Sequence, residues 1–165
     1  MDELQYDSYT TIAHLYDSQD LTVPWDWKQQ YQDTMPSSNS QRIGAIAEAR
    51  FIAECLERGF EPHTPTTPMP WEYIVHCPAG DLKVQVKSTS NKELSFYRVN
   101  TGCGTTTKET MSDIVDVVAA YISPLKQWWM MPRKAVTGLT IKLYPDTPTK
   151  SKYKKYQNNW SIYYK

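Results

Sequence analysis

The chain has 165 residues, 40% of them apolar, with 18 basic and 18 acidic side chains. This length fits one domain with a hydrophobic core of its own. No apolar run approaches the roughly 18 residues that a membrane span needs, and no basic start precedes an apolar stretch, so we expect neither membrane insertion nor a signal peptide. The three scattered cysteines, Cys55, Cys77 and Cys103, give neither a disulfide framework nor a zinc motif, and they favour a reducing, cytoplasmic setting.

The net charge of zero hides a division along the chain. Residues 1–80 carry 12 acidic and 4 basic side chains, whereas residues 81–165 carry 6 acidic and 14 basic ones. A basic half is typical of a chain that binds a polyanion. The alternative is that the two halves neutralise each other, and charge alone does not decide between the two.

The chain is predicted to have three segments. Residues 1–40 form an acidic extension, with seven carboxylates against one lysine. Residues 41–147 form the core domain. Residues 148–165 form a basic segment with five lysines and five aromatic rings that packs on the core. The aromatic residues of the extension, which indicate that it also packs on the body, are Tyr6, Tyr9, Tyr16, Trp25, Trp27 and Tyr31.

The core domain begins with a predicted helix. Ser38 and Gln41 have the spacing of a capping box, and Gly59 is a typical stop after about Arg58. Glu48 lies on the apolar side of this helix. An acid that faces inward is costly unless a cation or hydrogen-bond donors meet it. The predicted apolar stripe consists of Ala45, Ala49, Ile52, Cys55 and Leu56.

A β-hairpin is predicted after the helix. Residues 61–70 contain four prolines and are expected to be an irregular connection. Residues 71–77 and 82–88 are predicted strands, and residues 78–81 are the turn between them.

The turn length predicts the register of this hairpin. A four-residue turn pairs Cys77 with Leu82 and sets Glu72 opposite Lys87. The strands then have a mostly polar face, formed by Glu72, Ile74, His76, Lys83, Gln85 and Lys87. The opposite, apolar face consists of Trp71, Tyr73, Val75, Leu82, Val84 and Val86. A slip of one residue would turn one strand's face over.

Three more strands complete the predicted fold. After a polar loop at 101–110, residues 114–122 are almost all apolar, which is typical of a central strand. Residues 127–131 and 139–144 are shorter candidates. We therefore predict an α/β (α+β-like) domain with a mixed central sheet flanked by helices.

The polar face of the hairpin carries groups suited to cutting a phosphodiester. Such hydrolysis needs a nucleophilic water and relief of negative charge on the phosphoryl oxygens, which a bound Mg²⁺ held by hard oxygen ligands supplies. Glu48 and Glu72 offer carboxylates, and Gln85 offers an amide oxygen. Lys87 can orient the water or stabilise negative charge, and the Val86 carbonyl is a further possible ligand.

These residues occur in an order that resembles a known superfamily. The matching stretches are Gly44-x-x-x-Glu48, Gly59-Phe60, Trp71-Glu72-Tyr73-Ile74-Val75, Val84-Gln85-Val86-Lys87, Asp116 to Tyr121, Trp129 to Pro132, and Trp160. Together they resemble the PD-(D/E)xK nuclease superfamily, over roughly residues 41–160. The Gln-x-Lys variant is most similar to its branch of small group I intron-type homing endonucleases.

The resemblance implies a restriction-endonuclease-like core and a role for each site residue. Glu48 is then the helix acid, Glu72 the strand acid, Gln85 the variant third ligand and Lys87 the lysine, with the Val86 carbonyl as an additional metal ligand. The strand acid is usually Asp in this superfamily, so Glu72 is a departure of one methylene. The implied cofactor is Mg²⁺, for which Mn²⁺ substitutes.

The same resemblance implies sequence-specific cleavage of double-stranded DNA, in a bacterial or phage-infected cell. One site per chain predicts a homodimer or homotetramer, because a double-strand cut needs two sites. The residues predicted to contact DNA are Lys92, Arg98, Lys108, Arg133, Lys134, Lys150, Lys152, Lys154 and Lys155. Lysines interleaved with rings bind phosphates and stack on bases, while Trp160 is expected to pack on the core.

Simpler interpretations stay open for each residue. Glu48 and Glu72 are also explained as partly solvated acids, and Lys87 as a surface lysine. His76 is expected to be structural or to make a minor DNA contact, and Asp113 and Asp116 are expected to be loop and strand-start residues rather than ligands. At the level of function, the alternatives are a Holliday junction resolvase or repair nuclease of the same fold, and a catalytically decayed DNA-binding protein.

Overall fold

A computed structural model describes residues 39–102, 113–147 and 151–165 of the chain. The described part contains one α-helix, α1 (Asn39–Glu57). Its strands are β1 (Glu61–His63), β2 (Tyr73–Cys77), β3 (Gly80–Thr89), β4 (Lys92–Glu93), β5 (Phe96–Asn100), β6 (Val117–Ile122), β7 (Gln127–Pro132) and β8 (Thr140–Leu143). They form a five-stranded sheet in the order β1-β2-β3-β6-β7 and a three-stranded sheet in the order β4-β5-β8.

The end of α1 agrees with the predicted stop. Gly59 has a φ of +75°, the left-handed conformation that favours glycine. The Gly59 N–H donates to the Leu56 carbonyl at 3.0 Å, and the Phe60 N–H donates to the Cys55 carbonyl at 2.9 Å. This is the hydrogen-bond pattern of a Schellman motif, so the turn satisfies carbonyls that the last helical turn leaves open.

The buried side of α1 differs from the predicted stripe. Ala47, Phe51 and Cys55 are buried, whereas Ala45, Ala49 and Leu56 are exposed. The prediction was therefore wrong for the three exposed residues. The helix carries apolar residues on more than one side, and spacing alone does not tell which side meets the sheet.

The β2–β3 hairpin forms as predicted, with its register shifted by two residues. Cys77 pairs with Gly80, and Tyr73 with Val84, so the predicted Cys77–Leu82 pair is wrong. Gly80 has a φ of +105°, which lets pairing begin directly after Pro78 and Ala79. Because the shift is an even number, the strands keep the predicted faces from Tyr73 onward.

The apolar run predicted an interior strand, and β6 is one, lying between β3 and β7. All six of its residues are buried. It lies parallel to β3, with Gln85 beside Val118 and Lys87 beside Ala120. It is antiparallel to β7, which ends at the predicted Pro132. The large sheet is therefore mixed, as predicted.

Two regions form strands that the sequence did not suggest. Residues 61–63, expected to be irregular, form the edge strand β1, which pairs with β2 and tolerates Pro62 because an edge strand leaves some N–H groups unpaired. Residues 92–100, for which no strand was predicted, form β4 and β5, and β5 pairs with β8.

The large sheet lies between two layers. On one face, α1 packs through Phe51 on a cluster that includes Val84, Val86 and Tyr121. On the other face, Val99 of β5 and Leu143 of β8 pack in a second cluster. The described residues thus form three layers in the order helix, mixed sheet, small sheet.

The described part of the basic segment is held by hydrogen bonds at Asn158 and at Tyr163. The Asn158 N–H donates to the Trp128 carbonyl, and the Asn158 Oδ1 accepts from the Trp128 N–H at 2.9 Å. The Ala79 N–H, in the hairpin turn, donates to the Tyr163 carbonyl at 3.1 Å. Trp160 and Tyr163 are buried in the helix-side cluster, so Trp160 packs as expected. Within the described ranges, no helix is long and apolar enough to cross a membrane.

Candidate active site

The hairpin places Glu72 beside Gln85. Glu72 directly precedes β2, and its N–H donates to the Val84 carbonyl at 3.0 Å, which continues the ladder by one residue. Continuing the observed register by one step sets Glu72 opposite Gln85 rather than opposite Lys87. The predicted pairing of Glu72 with Lys87 was therefore wrong.

Both oxygens of the Glu72 carboxylate accept hydrogen bonds. The Gln85 side-chain amide donates to Oε1, and the Val86 backbone N–H donates to Oε2 at 2.8 Å. Gln85 is only 4% exposed, so this bond satisfies a polar group that would be costly to bury alone. The carboxylate is therefore fixed against the strand that carries the Gln-x-Lys sequence.

The surroundings of Glu72 act on its ionisation. Burial raises the pKa of its carboxyl above the ordinary value, the Val86 N–H and the positive charge of Lys87 oppose that shift, and the negative charge of Glu48 adds to it. Lys87 and Glu48 thus lie within electrostatic reach of the carboxylate. Gln85 is therefore bonded to Glu72, and Lys87 and Glu48 act on Glu72 through their charges.

Glu48 reaches this point from α1. It follows the buried Ala47 and is itself half-buried. Phe51, one turn later on α1, lies 5.4 Å from the Tyr73 ring between ring centres. Burial, followed by the charges of Glu48 and Glu72, raises the pKa of Tyr73 to about 12. The phenol therefore stays protonated beside two acids, and it can donate a hydrogen bond there.

Lys87 and Gln85 project from the same side of β3. Val84 and Val86, which alternate with them, belong to the cluster under α1, so Gln85 and Lys87 point to the face that the small sheet covers. Lys87 is half-buried. A lysine held two residues from the bonded amide can neutralise negative charge that develops near Glu72.

The atoms available to bind a cation at this site are a few oxygen atoms. In the described part of the chain, no group of three or more His, Cys, Asp or Glu residues is arranged to hold a metal ion. The site offers two carboxylates, an amide oxygen and the Val86 carbonyl, all oxygen donors of the kind that Mg²⁺ prefers. Each Glu72 oxygen keeps a lone pair beside the hydrogen bond that it accepts. The residues present therefore fit a magnesium-type ion.

A sequence model described as PD-(D/E)XK endonuclease matches residues 38–163, which is most of the chain. The chain belongs to the PD-(D/E)XK endonuclease family. This membership confirms the superfamily resemblance, and it makes the chain a nuclease of the class that acts on DNA.

One solved structure has a fold similar to that of this chain. It is a bacterial homing endonuclease, I-Ssp6803I, with a TM-score of 0.64 and 21% sequence identity. The match covers 78% of this chain and 93% of that one. A comparison with the curated proteins gives no significant match. The structural similarity supports the predicted α/β core.

Several cations predicted to bind DNA lie on the surface of this PD-(D/E)XK domain. Lys92, Lys134, Lys152 and Lys155 are exposed. Lys152 lies over the Tyr153 ring at 5.3 Å, and Lys155 lies over the Tyr156 ring at 5.0 Å. These aromatic contacts orient the two ammonium groups without removing them from solvent.

Other predicted cations hold internal bonds. Arg133 pairs with Asp113 at 3.2 Å and donates to the Val136 carbonyl at 2.9 Å. Lys154 donates to the Pro145 carbonyl. Arg98 pairs with Glu93 through its Nε and Nη2, which donate to the two carboxylate oxygens. Lys108 and Lys150 lie outside the described residues.

The acids and the histidine expected to be structural have structural partners. The Asp116 carboxylate accepts the Lys83 N–H at 2.8 Å, directly before β6. Asp81 pairs with His76 at 2.7 Å across the hairpin. Sequence reasoning did not single out Tyr73 as a neighbour of the site. The signal available for it was its place next to Glu72 on a strand that faces the Glu48 helix.

Proposed function

We propose that the chain is a metal-dependent endonuclease that cuts double-stranded DNA at specific sequences. The observation that carries the proposal is the fixed Glu72 carboxylate, bonded to Gln85 and to the Val86 N–H, with Lys87 and Glu48 in electrostatic reach. Family membership supports nuclease chemistry, and the similarity to a bacterial homing endonuclease suggests sequence-specific DNA as the substrate.

Each residue has a distinct part in this proposal. Glu48, Glu72, Gln85 and the Val86 carbonyl would hold the cation. Mg²⁺, or Mn²⁺ in its place, would supply relief of negative charge on the phosphate and activation of a water. Lys87 orients the attacking water and stabilises charge that develops on the phosphate. Tyr73 keeps its proton beside the two acids.

The surface supports the choice of a polyanionic substrate. Exposed lysines on the small sheet and on the C-terminal segment neutralise phosphates, and the basic half of the chain is the half that contains them. The predicted set includes Lys92, Arg98, Lys134, Lys152 and Lys155. We further propose that two or four copies assemble, because one site per chain cuts one strand. Sedimentation with and without DNA measures this directly.

The experiment is cleavage of phage or genomic DNA with Mg²⁺ or with EDTA, followed by mapping of the ends. We expect discrete ends that appear only with the metal. Lys87→Ala should abolish cleavage and leave binding intact in a gel-shift assay. Lys126→Asn is the matched control, because it removes an exposed lysine at a turn whose positive φ suits asparagine.

The outcomes separate the candidate functions. Unchanged nicking by Lys87→Ala would rule out the catalytic assignment. Binding without cleavage in any divalent cation would indicate a decayed DNA-binding protein, which the unusual Glu72 would explain. Preference for a four-way junction over a long linear target would indicate a resolvase instead.

A further inference from the structure

The outer face of the small sheet carries an ordered set of polar and aromatic side chains. Tyr97 and Val99 of β5 and Ile141 and Leu143 of β8 are buried against the large sheet. The residues that alternate with them point outward. We define this outward set as the ribbon face: Phe96, Arg98, Asn100, Thr140, Lys142 and Tyr144.

Two cations lie at the centre of the ribbon face. Arg98 pairs directly with Lys142 across the two antiparallel strands. The Lys142 ammonium lies 4.7 Å from the centre of the Phe96 ring, and the Phe96 and Tyr144 rings are 5.5 Å apart. Two neighbouring cations beside two rings form a surface that is complementary to a polyanion with flat bases and thymine methyl groups.

Glu93 holds the Arg98 guanidinium in a defined orientation. The Arg98 Nε and Nη2 donate to the two Glu93 oxygens at 2.6 and 2.7 Å. The Arg98 side chain is 45% exposed and that of Glu93 is 34% exposed, so the pair is solvated and easily exchanged for another partner. A guanine presents two acceptors, O6 and N7, to the same fork of donors.

The ribbon face is connected directly to the candidate active site. β4 begins five residues after Lys87 in the same stretch of chain, a distance of at most about 17 Å. The Asn91 N–H donates to Thr89 Oγ1 at 3.1 Å, which fixes the turn between β3 and β4. Lys87 also projects to the face of the large sheet that the small sheet covers.

We propose that the β5–β8 ribbon enters the DNA major groove beside the cleavage site, and that Arg98 reads a guanine there after exchanging Glu93 for the base. This inference rests on the proposed function. A two-stranded antiparallel ribbon fits the width of the major groove. Lys142 contacts the neighbouring base edge or phosphate, and Glu93 keeps Arg98 from binding phosphates indiscriminately.

The test is selection of bound duplexes from a random library with the Lys87→Ala protein in EDTA. Arg98→Ala is added to that background, with Arg50→Ala as the matched control because Arg50 is an exposed arginine on α1, across the large sheet. We expect Arg98→Ala to lose a guanine preference at one position by about 5- to 150-fold, the range of one bidentate base contact. Arg50→Ala should keep it.

A second variant separates a lost contact from a damaged fold. Glu93→Gln keeps Arg98 and releases its ionic partner, so we expect the guanine preference to persist while affinity for random DNA rises. Unchanged preference in Arg98→Ala would overturn the ribbon assignment and leave the nuclease proposal standing. If the Lys87→Ala protein did not bind DNA and the wild type did not cleave it, both the ribbon assignment and the nuclease proposal would be overturned.

Discussion

Gln85→Glu tests the central contact of the site most directly. Gln85 is 4% exposed, and its amide donates to the Glu72 carboxylate. The substitution replaces that donor by a second carboxylate of the same shape. It therefore places two acids side by side, next to a carboxyl whose pKa burial already raises. The family pattern has an acid at this position, so the variant also tests whether a cation fits there.

The size of the effect follows from two limits. Two unit charges about 4 Å apart repel by about 4 kcal/mol at an effective dielectric constant of about 20. Keeping one carboxyl protonated at pH 7 instead costs about 3.7 kcal/mol, from an ordinary glutamate pKa of about 4.3. The protein adopts whichever state costs less, so the smaller of the two values is the upper limit. We therefore expect the free energy of unfolding to fall by up to about 3.7 kcal/mol at pH 7. That bound falls by about 1.4 kcal/mol for each unit of lower pH.

Urea unfolding followed by tryptophan fluorescence measures this loss. In EDTA at pH 7, a loss of about 3 kcal/mol lowers the midpoint by about 1–3 M for m-values of about 1–3 kcal/mol/M. At pH 5 the difference between variant and wild type should shrink. At pH 7, Mg²⁺ should restore the stability of the variant. Gln127→Glu is the control, because the Gln127 amide oxygen accepts from the Gln157 amide rather than meeting an acid. A pH-independent midpoint equal to that of the wild type would refute the Glu72–Gln85 contact.

Three further outcomes are expected. Glu72→Gln should abolish cleavage yet raise the urea midpoint in EDTA at pH 7. In the wild type, burial is the main cause that raises the pKa of the folded Glu72 carboxyl. The stability that protonated Glu72 contributes is therefore complete below about pH 4.3 and is lost as pH rises. The stability advantage of the variant over the wild type should vanish near pH 4. Gly59→Ala should destabilise by about 1 kcal/mol because φ is +75°, whereas Gly44→Ala, in open space inside α1, should stabilise by about 0.5–1 kcal/mol in the same melts. In a Cys103→Ser variant, no thiol should react with Ellman's reagent at pH 8 before unfolding, since Cys55 and Cys77 are buried and burial raises the pKa of Cys55 to about 12; early reaction would contradict the packing under α1.

The sequence identified the candidate residues but not how they pair across the hairpin. The order of Glu48, Glu72, Gln85 and Lys87 was readable because the strands alternate and the turn is marked by Pro and Gly. The register was not, since it depends on how tightly Gly80 turns, and a two-residue shift leaves every face unchanged. The contact between Glu72 and Gln85 follows from that shift.

Long-range pairing explains the missed sheet. Residues 92–100 are mostly polar, and only Tyr97 and Val99 mark a buried side in β5. That strand is stabilised by β8, more than forty residues later in the chain. A pattern of five residues cannot reveal such a partner. The six consecutive apolar residues of β6, by contrast, identified an interior strand without knowledge of its partner strands.

Dependence on distant partners also explains why the buried side of α1 was predicted wrongly. Its length and its stop at Gly59 are local properties, and both were predicted. The choice of buried side depends on the shape of the sheet surface, which selects the Phe51 side over the Leu56 side.

The anchoring of the hairpin turn by Tyr163 joins parts of the protein that are far apart in sequence. The Tyr163 carbonyl accepts from the Ala79 N–H, and the Tyr163 side chain contacts Phe60 and Met130. The turn between β2 and β3 is therefore held by a residue from the C-terminal segment. A substitution at Tyr163 would loosen that turn without changing Glu72 or Gln85.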